Sequence, residues 1–135
     1  SCVLLIRRDV FEKVDGFDEV LGNYCEDMDL SIKVMNAGHR ILYIPEAVAT
    51  HGESRNVIKV AGKRFRDYYT TRNGLYLIWK YGTLFHKTVG STLFILWYVG
   101  VYGIGHILLG EWDRARARGM GLWDVLRGRM GWRGL

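Results

Sequence analysis

The apolar and polar positions alternate in blocks along the chain. Residues 2–6, Cys2-Val3-Leu4-Leu5-Ile6, are an unbroken apolar run, which predicts a strand buried on both faces. Asp9 and Glu12 bracket the start of a short segment carrying Val10, Phe11 and Val14. That is a capping-box pattern, predicting a helix over 10–14 that stops at Gly16. From about Cys25 to Ala37, Leu30, Val34 and Ala37 recur at helical spacing, with Met28, Ile32 and Met35 on an adjacent stripe; Gly38 is the natural end. Arg40-Ile41-Leu42-Tyr43-Ile44 alternates as a strand does until Pro45 breaks it. Residues 47–50 form a short extended segment that delivers His51 to a loop. Residues 55–81 predict a long helix with a broad aromatic face (Phe65, Tyr68, Tyr69, Leu75, Tyr76, Trp79), weakened at Gly74.

The pattern then changes. Residues 88–110 contain no Asp, Glu, Lys or Arg; fourteen of the 23 are apolar and five are glycine. A helix of that length can cross a bilayer, or it can lie at the interface. Basic residues flank it on both sides, which argues against a single span under the positive-inside tendency. The tail from Glu111 carries six arginines and three acids, with Trp112, Trp123 and Trp132 among them, a composition that suits an amphipathic helix on anionic lipid. A core helix or a dimer interface is the plainer use of the same apolar segment.

Charge divides the chain in the same place. Residues 1–53 carry five Lys/Arg against ten Asp/Glu, and residues 54–135 carry fourteen against four. The acidic half suits sugar hydroxyls or a metal; the basic half suits phosphate groups on a lipid surface or a nucleic acid. An apolar share of 49% in 135 residues excludes a disordered chain and allows one modest domain. The two cysteines define no disulfide framework, and a reducing cytoplasmic setting is expected. Because a strand-like run starts immediately after Ser1, the chain is expected to be a piece of a longer protein.

Chemistry concentrates at Glu26-Asp27-Met28-Asp29. A helix start favours charged carboxylates. Glu26 and Asp29, one turn apart, can face one cleft while Asp27 projects elsewhere. A carboxylate within reach of a hydroxyl can take its proton as a general base. Acids in a first helical turn also occur for dipole reasons alone, and a lone histidine such as His51 is most often structural. Arg72 presents a fork that fits a phosphate, and with Asn73 it can equally be a helix surface pair.

Taken in order, Val14-Asp15-Gly16-Phe17-Asp18-Glu19, Tyr24-Cys25-Glu26-Asp27-Met28-Asp29-Leu30, Ala37-Gly38-His39-Arg40-Ile41-Leu42-Tyr43-Ile44-Pro45-Glu46-Ala47, His51 and Arg72-Asn73 resemble the second half of family 2 glycosyltransferases, in particular their rhamnosyltransferase-like members. The match covers residues 1–81 well and the tail loosely. The resemblance implies an α/β architecture: the C-terminal half of a GT-A fold over residues 1–81 (acceptor side), then a helical, membrane-associated extension over 82–135. It implies an inverting transfer of a sugar, rhamnose among the candidates, from a nucleotide-diphosphate donor to a hydroxyl of a cell-envelope glycan or glycolipid. Asp27 would be the base, with Glu26, Asp29, Asp18, Tyr24, Arg72 and Asn73 around the acceptor. His51 would be a ligand to Mg²⁺ or Mn²⁺ whose other ligands lie outside this chain. Asp15 stands where the family has glycine. The isolated chain is expected to be inactive, to sit on the cytoplasmic face of a membrane, to bind no nucleic acid and to be capable of forming a homodimer.

Two other classes fit parts of the pattern. A non-catalytic module binding membranes or polyanions would use the basic, aromatic residues 55–81. A glycoside hydrolase would use Glu26 and Asp29 as an acid/base pair, but those enzymes place carboxyls about 5–9 Å apart across a substrate, and neighbours on one helical turn seldom straddle a sugar.

Overall fold

The computed structural model describes residues 3–50 and 55–131. Five helical elements carry the fold: α1 (Arg8–Lys13), α2 (Glu26–Asn36), α3 (Arg55–Tyr81), α4 (His86–Leu108) and α5 (Trp112–Leu126).

The expected α/β sheet is absent: among the described residues there is no strand. Residues 4–7 and 40–44 run without ladder hydrogen bonds, and Leu5 (97% exposed) and Tyr43 (88%) stand in solvent. The physical reason is that a strand is a property of a pair. An apolar or alternating run satisfies its backbone groups as a sheet only when another extended segment lies alongside, and none does among the described residues. The capping box does not form either. Asp9 lies inside α1 and pairs with the N-cap residue Arg7 (Arg7 Nη2 to Asp9 Oδ2, 2.6 Å), and no side chain caps the helix start.

The helices read from periodicity are present. α2 stops where Gly38 takes φ +85°, and the His39 amide donates back to the Val34 carbonyl at 3.2 Å, closing the turn as a left-handed C-terminal residue does. α1 and α2 share a small core of Val10, Leu30 and Val34, edged by Ile6, Phe11 and Val14. α3 kinks at Gly62 (φ 74°, ψ 170°) and then runs straight through a second core of Phe65, Tyr68, Tyr69 and, from α5, Ala117.

α3 and α4 form an antiparallel hairpin turned at Gly82-Thr83. Trp79 Nε1 donates to Ser91 Oγ at 3.1 Å, and Phe94 covers Gly74, where an added Cβ would lie 2.8 Å from its ring. Gly74, a weakness in the helix pattern, is therefore the place where α4 approaches. α4 contains two stretches of wider π-type turns, His86–Gly90 and Ile95–Val101. α5 returns along α3, and here a Cβ on Gly121 would meet the Tyr68 carbonyl oxygen at 2.6 Å.

The α3–α5 contact also buries ions. Asp67 (1% exposed) receives Arg114 Nε at 2.6 Å and Arg118 Nη2 at 2.7 Å, and Tyr68 donates its hydroxyl to Asp124 at 2.7 Å. Two arginines that composition places on lipid thus face inward. Burial lowers the pKa of Arg118, whereas the hydrogen bond to Asp67 raises that of Arg114.

These contacts predict unequal glycine substitutions. Gly121→Ala, clashing with backbone, should cost about 1–3 kcal/mol. Gly74→Ala should cost less, because the Phe94 ring can swing and alanine favours the helix by about 1 kcal/mol. Thermal unfolding followed by circular dichroism should show the larger drop in Tm for Gly121→Ala.

Candidate functional site

The carboxylate cluster opens α2 after an unusual approach. Tyr24 (φ 64°) and Cys25 (φ 69°) both adopt left-handed backbone, a conformation costing an ordinary residue on the order of 1–2 kcal/mol. Such a turn persists only if its surroundings hold it, and Arg72 and Asn73 do so. Both are fully buried. Asn73 Nδ2 lies within hydrogen-bond distance of the carbonyls of Leu21 (3.0 Å), Asn23 (2.8 Å) and Tyr24 (2.7 Å). Arg72 Nη2 donates to the carbonyls of Val20 (3.2 Å) and Leu21 (2.9 Å), its Nη1 to the carbonyl of Gly131, and its Nε to Asn73 Oδ1 (2.9 Å). The Arg72 guanidinium also lies over the Tyr69 ring, 4.7 Å from its centre. The donors offered by sequence to a phosphate, or to a helix surface, are thus engaged inside, beneath the loop 20–24.

The acids then diverge. Asp29 is fully buried and binds Lys80 Nζ (2.7 Å) and the Tyr81 hydroxyl (2.7 Å) through Oδ1, with Lys33 Nζ 3.5 Å from Oδ2. Asp18 meets the same Lys80 ammonium at 2.6 Å; its Oδ1 accepts the Val20 amide at 3.1 Å. One lysine therefore bridges two expected site carboxylates. Burial opposes the charge on Lys80, but hydrogen bonds to Asp18, Asp29 and Tyr81 outweigh it and raise its pKa. Burial likewise opposes the charge on Asp18, and the bonds from Lys80 and the Val20 amide still bring its pKa below 3.8. Burial, then the bond to Asp29, pushes the Tyr81 phenol up to about 12. The Cys25 thiol is pushed up to about 11 by burial and next by the charge of Glu26, which makes it a poor nucleophile.

Glu26 and Asp27 are each half-buried. Asp27 Oδ1 accepts the Met28 amide at 2.9 Å. Glu26 Oε2 is buried and, among the described residues, has no hydrogen-bond partner. The Tyr24 ring packs toward Phe65, centroids 6.3 Å apart. His51 lies outside the described residues, and among those described no three His, Cys, Asp or Glu side chains converge to hold a metal ion. A shallow depression along the first turns of α4 is lined by Lys87, Val89 and Leu93 among others; none of the candidate carboxylates reaches it.

Sequence reasoning missed Lys80, Tyr81 and the Asp67–Arg114–Arg118 group. The available signal was Asp29 itself: it precedes Leu30 on the inward side of α2, and a carboxylate there requires a cation from elsewhere in the chain.

Residues 2–115 match the model of the glycosyl transferase family group 2, and the chain belongs to that family. It is similar to the rhamnosyltransferase WbbL of Escherichia coli K12, 36% identical over 63 residues, which cover 47% of this chain and 24% of that protein. It is also similar to the N-acetylglucosaminyl-diphospho-decaprenol L-rhamnosyltransferase of Mycobacterium tuberculosis, 41% identical over 56 residues, or 42% of this chain and 18% of that protein. The chain thus spans a quarter or less of these relatives. No solved structure matches it.

Removing the bridging cation should be costly. Lys80→Met leaves Asp29 buried beside only Tyr81 and the more distant Lys33, and should destabilise by roughly 3–5 kcal/mol; Lys33→Met should cost distinctly less. Urea unfolding of the two variants checks the order. The pH response follows from the shifts. The depressed Asp18 contributes stability above its unfolded pKa of 3.8, lost as pH falls through the lower folded value. The raised Lys80 contributes fully below its unfolded pKa of 10.5, lost as pH rises through the higher folded value. The stability read from urea unfolding should therefore hold steady from about pH 5 to pH 10, fall as pH drops below 3.8 and fall again above 10.5.

Proposed function

We propose that this chain carries the acceptor side of an inverting glycosyltransferase, with Asp27 as general base. A nucleotide-diphosphate sugar is the donor, and the acceptor is a hydroxyl of a glycan or a lipid-linked glycan. The observation that supports this reading best is the orphaned Glu26 Oε2 beside Asp27, at the head of a helix whose approach is held in left-handed backbone. A buried acceptor atom without a donor calls for one, and an incoming hydroxyl would supply it once the Glu26 side chain turns outward. Glu26 would orient the acceptor. Asp27 would take the hydroxyl proton as the oxygen attacks the anomeric carbon, while the bond from that carbon to the diphosphate breaks on the opposite face. Asp18 and Asp29, bridged by Lys80, would hold α2 in place without touching the reacting atoms.

The relatives' names supply the substrate class. Both transfer rhamnose, and one acts on a decaprenol-linked diphosphate sugar; we extend rhamnose and a lipid-linked acceptor to this chain on that similarity. Attachment to the cytoplasmic face of a membrane follows from such an acceptor and from the apolar α4. The described residues do not form a divalent-metal site, so no step is assigned to Mg²⁺ or Mn²⁺ within them.

The test uses a longer protein containing this segment, with a radiolabelled nucleotide sugar and a polyprenyl-diphosphate acceptor. Asp27→Asn should lower kcat by about 10²–10⁴-fold with donor affinity unchanged, and Glu26→Gln should act mainly on acceptor KM. Full activity in Asp27→Asn would overturn the assignment. The 135-residue chain alone should show no transfer.

A further inference from the structure

α4 is long and apolar enough to cross a bilayer, with mean hydropathy 1.5, yet only 17% of its most apolar window is buried. What is buried forms one stripe, and protein holds that stripe along its whole length. At the start Trp79 donates to Ser91; next Phe94 sits on Gly74. In the middle the Arg118 guanidinium lies over the Tyr98 and Tyr102 rings, 5.4 and 5.2 Å from their centres, with Nη1 on the Tyr98 carbonyl at 3.3 Å. At the end His106 Nδ1 meets Glu111 at 3.0 Å. The outer stripe holds Leu93 (61% exposed), Leu96 (60%), Trp97 (57%), Val101 (54%), Ile104 (59%) and Leu108 (81%).

We infer that α4 lies in the plane of an anionic membrane surface, with this Leu93–Leu108 stripe seated among the outer acyl chains, and does not cross the bilayer. The inference rests on the membrane attachment proposed above, and is independent of the transfer chemistry. A crossing α4 would carry its bound partners with it. The Asp67–Arg114–Arg118 ion group and the exposed Lys63, Arg64 and Arg116 would then enter hydrocarbon, at several kcal/mol per charge. Seated in the plane, α4 buries its apolar stripe while those charges stay in water or meet headgroups. Charge favours lipid over a second copy as the occupant. Residues 54–135 carry fourteen Lys/Arg against four Asp/Glu, which attracts anionic lipid and repels an identical surface. Exposed Trp112 and Trp123, the latter stacked under Arg127 at 4.1 Å, are side chains suited to the headgroup level.

The 135-residue chain is tested on vesicles of phosphatidylcholine, with and without phosphatidylglycerol. Binding should require the anionic lipid. Leu96→Glu/Ile104→Glu, both positions exposed and the fold checked by circular dichroism, should weaken partitioning on the order of tenfold or more. Depth is measured on the unsubstituted chain, with Trp97→Phe identifying the Trp97 signal. Lipids brominated near the carbonyl should quench Trp97 more than lipids brominated near the chain end. Stronger quenching from the chain end, with one flank of α4 protected from added protease, overturns the in-plane placement in favour of a span. Absence of vesicle binding, together with a dimer that the double glutamate variant dissociates, gives the stripe to a second copy and removes the membrane reading too. Neither outcome touches the Asp27 assignment, which stands or falls on the transfer assay.

Discussion

Polar side chains reaching out from α3 hold the acidic half of this chain to the helical half. Arg72 and Asn73 reach the α2 side at one level, and Lys80 and Tyr81 two turns further on. Each bracket ends on groups that cannot be left bare: carbonyls of residues 20–24 in the first, the Asp29 carboxylate in the second. An apolar seam between the helices would tolerate sliding. Carbonyls and a charge in fixed positions do not, because a displaced bond leaves a buried polar group unsatisfied. The orientation of Glu26 and Asp27 is set by this arrangement, and so is the geometry of any reaction at their carboxylates.

The two cores divide the labour differently. Val10, Leu30 and Val34 make a small cluster with few layers, whose burial contributes only about 1.5–3 kcal/mol per side chain. Losing one bracket costs as much as one or two of these residues. The α3–α5 interface is larger in aromatic content, but it too is built round a carboxylate, Asp67, with two arginines. In both halves a buried acid pairs with a cation distant in sequence. Such pairs define geometry more than they add stability.

Parts of this were legible in the sequence and parts were not, for reasons that differ by element. α2 was legible because its apolar period, its first-turn acids and Gly38 are all local signals. Asp18 and Asp29 both stood out in the sequence, but the Lys80 that joins them did not. Residues 2–6 and 40–44 misled, since alternation and apolarity say what a strand's faces would do and nothing about whether a neighbour is there to accept its hydrogen bonds. Arg72 and Asn73 were found as a pair, but the geometry that turns them inward depends on loop 20–24, some fifty residues earlier. Arg114 and Arg118 were hidden by composition: among six arginines in a tail, nothing local marks the two that meet a buried aspartate.

The left-handed pair Tyr24-Cys25 limits how this loop can be redesigned. A recombination or mutagenesis library at those two positions would find glycine, asparagine and aspartate accepted readily, and valine, isoleucine and threonine rejected, whatever their fit to the surrounding surface.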